Sequence, residues 1–214
     1  MITAFLDANV LYPPTLRSVL LELAHADLYA ARWSDDVHRE WMRALAESRP
    51  SLPQAAIQRM RALMEAHIGD ASVRGYEPQI ASLTLPDPND RHVLAAVILG
   101  KASVIVTSNL EDFPAEALSP HKITALPPDG FVLSLLEADA EGVALALAAD
   151  RADLMNPPLS VDEHLAALER GGLTETAAVL RNVKELLHLD GVQPTARWQV
   201  LLRVAQHRPA RLDH

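Results

Sequence analysis

Four acidic residues, Asp7, Glu40, Asp90 and Asp112, stand where a folded chain can bring distant carboxylates together. Asp7 ends the apolar run ITAFL at residues 2–6, and Asp112 lies in TSNLEDFP, a few residues past the apolar run ASVIVT. In an open parallel sheet, ligands bind outside the carboxyl ends of the strands, so an acid just after a strand is well placed for chemistry. Asp90 falls in DPNDRHVLAAV, an acidic helix start with Asp87 as N-cap, Pro88 at N1 and Asp90 at N3. A carboxylate on that first turn also projects from the strand-end face of a βα unit, and Asp87 then stands behind it as an outer helper. On a period of 3.6 residues, Val37, Trp41, Ala44 and Leu45 make the buried stripe of their helix; Glu40 borders it and Arg39 and Arg43 face away. Taken singly, Asp7 and Asp112 read more often as turn or capping residues, and a glutamate in a charged helix as solvated.

Together they have a different meaning. Two like charges 4 Å apart repel by about 1 kcal/mol in water and about 4 kcal/mol at an effective dielectric of 20, so converging carboxylates require a cation or protonation. Hard oxygen donors favour Mg²⁺ or Mn²⁺ over zinc. Other chemistries lack their signatures. No HExxH or tight His pair occurs, so His38 and His92 read as structural, and GxSxG, GxGxxG and GxxxxGK[ST] are all missing from the sequence. With no cysteine, disulfides and thiolate sites are excluded.

Apolar spacing predicts the framework around these acids. Strands are predicted at ITAFL, ARWS, ASVIVT and ITAL. NVLYPP reads as a loop, followed by helices over LRSVLLELAHADLY, over DDVHREWMRALAES capped by Ser34, and over QAAIQRMRALMEAHI. VRGY and SLTL could be extended, HVLAAVILG is a helix stopped at Gly100, and PPDGFVLSLLEAD closes the first domain. The pattern is α/β with a central parallel sheet in a domain spanning 1–138. Residues 139–214 show only helical patterns, with capping-box spacing from Ser160 to Glu163, a break at Gly171 and Gly172, and a helix in PTARWQVLLRVAQHRPARLDH that ends in an arginine-bearing tail.

A chain of 214 residues with 49% hydrophobic and 4% aromatic content builds its core from aliphatic side chains. The opening MITAFLDANV has no signal-peptide pattern and no apolar run approaches ~18 residues, which leads to the expectation of a cytoplasmic protein without a membrane partner. A net charge of -9 opposes a sequence-independent grip on a polyanion, softened by arginines at Arg32, Arg39, Arg43 and Arg49 and by the acids that a cation would offset.

The spaced segments FLDANVL, REWMRAL, DPNDRHVLAAV and IVTSNLEDFP resemble the PIN-domain family, in particular its VapC-like toxin branch, over roughly residues 1–135. The region from about 140 to 188 also resembles the C-terminal extension of one PIN subgroup. The resemblance implies a three-layer α/β/α domain and a Mg²⁺- or Mn²⁺-dependent endoribonuclease. The matching acids are Asp7, Glu40, Asp90 and Asp112, with Asp7, Asp90 and Asp112 as metal ligands and Asn9, Thr107 and Asn109 as polar helpers. It also implies an RNA substrate and a cognate antitoxin protein, and is compatible with a homodimer. Two other readings compete. A haloacid-dehalogenase-like phosphatase would use a strand-end Asp as nucleophile, but Asn9 stands where its second Asp is needed. A non-catalytic RNA-binding or interaction module would keep the fold without turnover.

Overall fold

The apolar tripeptide Ala4–Phe5–Leu6 is wholly buried and forms most of β1 (Thr3–Leu6), the middle strand of a five-stranded sheet. A computed structural model describes residues 1–153 and 159–187. The remaining strands are β2 (Ala30–Ser34), β3 (Ser72–Val73), β4 (Val104–Val106) and β5 (Thr124–Leu126), all parallel in the order β3-β2-β1-β4-β5. Phe5 pairs with Arg32 of β2 on one side and Ile105 of β4 on the other. The chain leaves β1 toward β2 and β3, then returns across to β4. Right-handed crossovers running in opposite directions from β1 put the intervening helices on the two faces of the sheet. The gap between the carboxyl ends of β1 and β4 is the point where strand order reverses.

Helices of this first unit are α1 (Ala8–Leu11), α2 (Pro14–His25), α3 (Asp35–Ser48), α4 (Gln54–His67), α5 (Glu77–Ile80), α6 (Arg91–Leu99) and α7 (Ala115–Leu118). Three differences from the sequence reading have plain causes. The NVLYPP segment is not all loop: Asp7 accepts from the Ala8 N–H at 2.7 Å and caps the single turn α1, too short to show a period. VRGY contributes only Val73 to a strand and SLTL none, because β3 is a two-residue edge strand. In α3, His38 and Met42 are buried and Ala44 is exposed, so the stripe is rotated from the one expected. Gly100 ends α6 as expected, and a Cβ there would lie 2.7 Å from Val73 Cγ2, so any larger residue would have to push the Val73 side chain of β3 aside.

His38 is fully buried in α3, where its Nδ1 accepts a 2.9 Å hydrogen bond from Trp41 Nε1. The proton of the neutral ring therefore sits on Nε2. Burial, and then the nearby Arg61 guanidinium, push this imidazole down to about 4 against the opposing pull of Glu65 and Asp35. The unfolded chain takes up this proton near pH 6.5 and the folded chain only near 4, so stability falls as pH drops through that window. The expected loss is on the order of 3 kcal/mol. Urea unfolding at pH 7, 6, 5 and 4 should give a shallower acid slope for His38→Gln; parallel slopes would mean that His38 charges freely in the folded protein.

The second unit opens at Asp129, so α8 (Pro128–Ala138), expected to close the first domain at 138, groups with the C-terminal helices instead. The physical reason is a cap. Asp129 Oδ1 accepts from the Thr176 N–H at 2.9 Å and its hydroxyl at 2.6 Å, and Oδ2 from the Glu175 N–H at 2.8 Å. These bonds tie the start of α8 to the first turn of α11 (Thr174–Leu187). Between them lie α9 (Ala140–Asp153) and α10 (Val161–Arg170). The Ser160 to Glu163 capping box is formed in both directions, and Gly172 takes a positive φ of 93° between α10 and α11. In this unit a buried Asp150–His164 pair, 2.8 Å apart, joins α9 to α10. The helix and arginine-bearing tail expected after residue 193 lie outside the described residues. Among the described residues no helix is long and apolar enough to cross a membrane.

Candidate active site

The backbone N–H of Asp7 still pairs with Val106 O at 3.1 Å, and that of Thr107 with Leu126 O at 3.0 Å. Both side chains thus leave the sheet at the ends of adjacent strands, at the reversal point. Thr107 is buried and its hydroxyl is fully used. It donates to Asp7 Oδ2 at 2.8 Å and accepts from Asn9 Nδ2 at 2.9 Å and the Asn109 N–H at 3.0 Å. Asn9 Nδ2 also donates to Asp7 Oδ2 at 2.6 Å, while Asn9 Oδ1 accepts from the Ser108 N–H at 3.0 Å. Asn109 Nδ2 donates to Asp112 Oδ2, and Asp112 closes a short 3-10 turn, Leu110–Asp112. One chain of hydrogen bonds therefore runs from Asp7 through Asn9, Thr107 and Asn109 to Asp112.

Asp90 arrives from the other side of the sequence. Asp87 caps a 3-10 turn, Pro88–Asp90, by accepting from the Asn89 N–H at 2.8 Å, and α6 begins only after it. Asp90 takes the N-cap position of α6 without a side-chain cap bond, so it does not satisfy the orphan amides expected of an N3 acid. Glu40, half-exposed on α3, meets His92 of α6, with Oε1 and Nε2 2.8 Å apart.

The electrostatics show that these acids share one neighbourhood. Burial, and then the fields of Asp7, Asp112, Asp87 and Glu40 in that order, push the Asp90 carboxyl up to about 6. Burial also raises Asp7, against the hydrogen bonds from Thr107 and the Ala8 N–H; Glu40 raises it further and His92 lowers it. Burial of His92 works against its charge, but the Glu40 hydrogen bond and the fields of Glu40, Asp36 and Asp90 outweigh it and raise the imidazole. Among the described residues no three His, Asp or Glu side chains already surround a common point. The cluster is thus electrostatic and not a preformed coordination cage. Its acids offer only hard oxygen donors under mutual repulsion, the donor type that a hard divalent cation takes.

His92 was missed as a participant by sequence reasoning. The available signal was its place in the run His92–Val97, buried throughout, where an imidazole needs a partner. The arginines expected to soften the charge are largely engaged. Arg32 donates to Ala31 O and Asp70 O, Arg39 pairs with Asp36, and Arg43 lies 4.0 Å from Glu47.

Two comparisons with known proteins bear on the chain. Residues 128–182 match the family model "VapC50 C-terminal domain". Over 94 residues the chain is 39% identical to the Mycobacterium tuberculosis (strain ATCC 25618 / H37Rv) protein named "Putative ribonuclease VapC50", a match covering 44% of this chain and 55% of that protein. The chain is thus similar to VapC50-type proteins, in its C-terminal helices and over a 94-residue stretch. The chain spans about half the length of the curated relative it matches. No solved structure matches it.

Proposed function

We propose that this VapC-like chain is a divalent-metal-dependent endoribonuclease, acting in the cytoplasm as the toxin of a toxin-antitoxin pair. The observation that carries the reading is the hydrogen-bonded chain from Asp7 through Asn9, Thr107 and Asn109 to Asp112 at the ends of β1 and β4, beside which burial and then these acids raise the Asp90 carboxyl. Asp7, Asp90 and Asp112 would hold Mg²⁺ or Mn²⁺. When bound, such an ion makes a water nucleophilic at neutral pH and offsets phosphate charge. Thr107, Asn9 and Asn109 hold the Asp7 and Asp112 carboxylates in fixed rotamers, as groups behind a metal site do. Glu40 accepts a proton from, or orients, the attacking water. The relative's printed name supports RNA as substrate, and an acidic crevice serves single-stranded, accessible RNA better than a duplex grip on phosphates. An antitoxin that occludes this crevice is the corresponding partner. A haloacid-dehalogenase-like reaction lacks its second acid, since Asn9 spends its amide on Asp7 and Thr107.

The test is incubation with total cellular RNA in Mg²⁺, in Mn²⁺ and in EDTA. Discrete cleavage products are expected with either metal and none in EDTA. Cutting that persists in EDTA would remove the metal from the reaction, and intact RNA in both metals would remove the nuclease assignment.

A further inference from the structure

A polar ring inside a buried helix costs free energy unless something bonds it. His92 is buried in α6; among the described residues its Nδ1 has no hydrogen-bond partner, and its polar contact is Nε2 with Glu40 Oε1 at 2.8 Å, 52 positions away in the chain. An ionised carboxylate oxygen only accepts, so the hydrogen lies on Nε2 and the imidazole donates. Glu40 needs such a tether. Its side chain has three rotatable bonds, it is half-exposed, and its charge presses on both Asp7 and Asp90. A free glutamate in that field lowers its energy by turning to water, gaining rotamer freedom as it does so.

We propose that His92 is the positioning residue for Glu40, its Nε2–H fixing one carboxylate oxygen so that the other remains available to the reacting water or substrate. The proposal rests on the nuclease reading above and adds a residue to it. His92 acts through Glu40 and touches no reacting atom. Its contribution therefore vanishes when Glu40 is already disabled. It also survives in a side chain that keeps a donor at the place of Nε2.

Four variants of the full chain test this: His92→Leu, His92→Gln, Glu40→Gln and the Glu40→Gln/His92→Leu double substitution. Cleavage by His92→Leu should fall by ~10–100-fold in kcat, the usual size for a partner behind a site, with KM little changed. His92→Gln, whose amide nitrogen can replace Nε2, should recover most of that loss. In the Glu40→Gln background, His92→Leu should cost nothing further. Separately from activity, the imidazole ¹⁵N spectrum should show His92 protonated at Nε2, with a signal that moves in Glu40→Gln. Wild-type cleavage by folded His92→Leu, an equal loss in the Glu40→Gln background, or no rescue by glutamine overturns the proposal. If His92→Leu does not fold, the glutamine variant and the spectrum decide. Loss of the nuclease reading shows instead as wild-type protein that cuts no RNA; the spectrum then reports whether the pair forms, and a ring protonated only at Nδ1 overturns it.

Discussion

Asp90→Asn is expected to abolish metal-dependent RNA cleavage while leaving the fold as stable as the wild type or more so. As a proposed ligand, Asp90 should cost more than the ~100-fold that marks the upper range for outer partners. Its stability effect has the opposite sign, because the carboxyl is raised from 3.8 to about 6 and caps no helix amide. The unfolded chain loses this proton first. The penalty on the folded state therefore grows as pH rises from about 4 to 6, is complete above 6, and vanishes below the unfolded value. Allowing for the exposed half of the side chain, removing the charge should add about 1 kcal/mol at pH 7.5 in EDTA. Mg²⁺ should then raise the unfolding temperature of the wild type and not of the variant. A variant that cuts RNA like the wild type would remove Asp90 from the reaction. A Mg²⁺-induced shift equal to that of the wild type would remove it from the ion's shell.

Asp7→Asn should lose cleavage by a comparable factor, but at a cost in folding. Asp7 accepts from the Ala8 N–H, Asn9 Nδ2 and Thr107 Oγ1, using both oxygens. Asparagine offers one oxygen and an NH₂ group, so in either flip a donor faces a donor in a buried place. Leaving such a group unsatisfied costs ~1–3 kcal/mol. The pair of variants thus separates two roles: one acid strained by its neighbours, the other built into the frame. Burial raises the Asp7 carboxyl too, so removing its charge offsets part of that cost; chemical denaturation in EDTA should still find Asp7→Asn less stable than Asp90→Asn, and equal stabilisation of both would contradict the hydrogen-bond network.

Where local patterns are strong, sequence reading and structure agree for physical reasons. The helix over Asp35–Ser48 is announced by Ser34, which accepts from the Val37 N–H, and ends just short of Pro50. The unit formed by α6, Gly100 and β4 is a buried helix feeding a buried strand, and its continuous apolar runs permit little else. What escaped was short or nonlocal. A one-turn helix such as α1 has no period, and β3 is two residues held by register with β2. Asp7 and Asp112 could be named from their places after strands, Asp90 from a first turn and Glu40 from the border of a helix stripe, whereas the bonds that hold their side chains could not. Thr107 meets Asp7 across 100 positions and His92 meets Glu40 across 52, contacts fixed by topology and not by any local signal. The isolated histidine reads as an ordinary core residue until α3 is docked on α6.

The saturated hydroxyl of Thr107 also bears on how the sheet settles. A slip of β4 by one residue past β1 would turn every β4 side chain to the opposite face, and the place of Thr107 would fall to Val106 or Ser108. Valine offers no oxygen to the two asparagines, and a serine moved into that place would carry its own N–H away from Asn9 Oδ1, which it now bonds. Misaligned pairing of the two central strands therefore dismantles the polar cluster at once, so assembling the site proofreads the alignment of the strands beneath it.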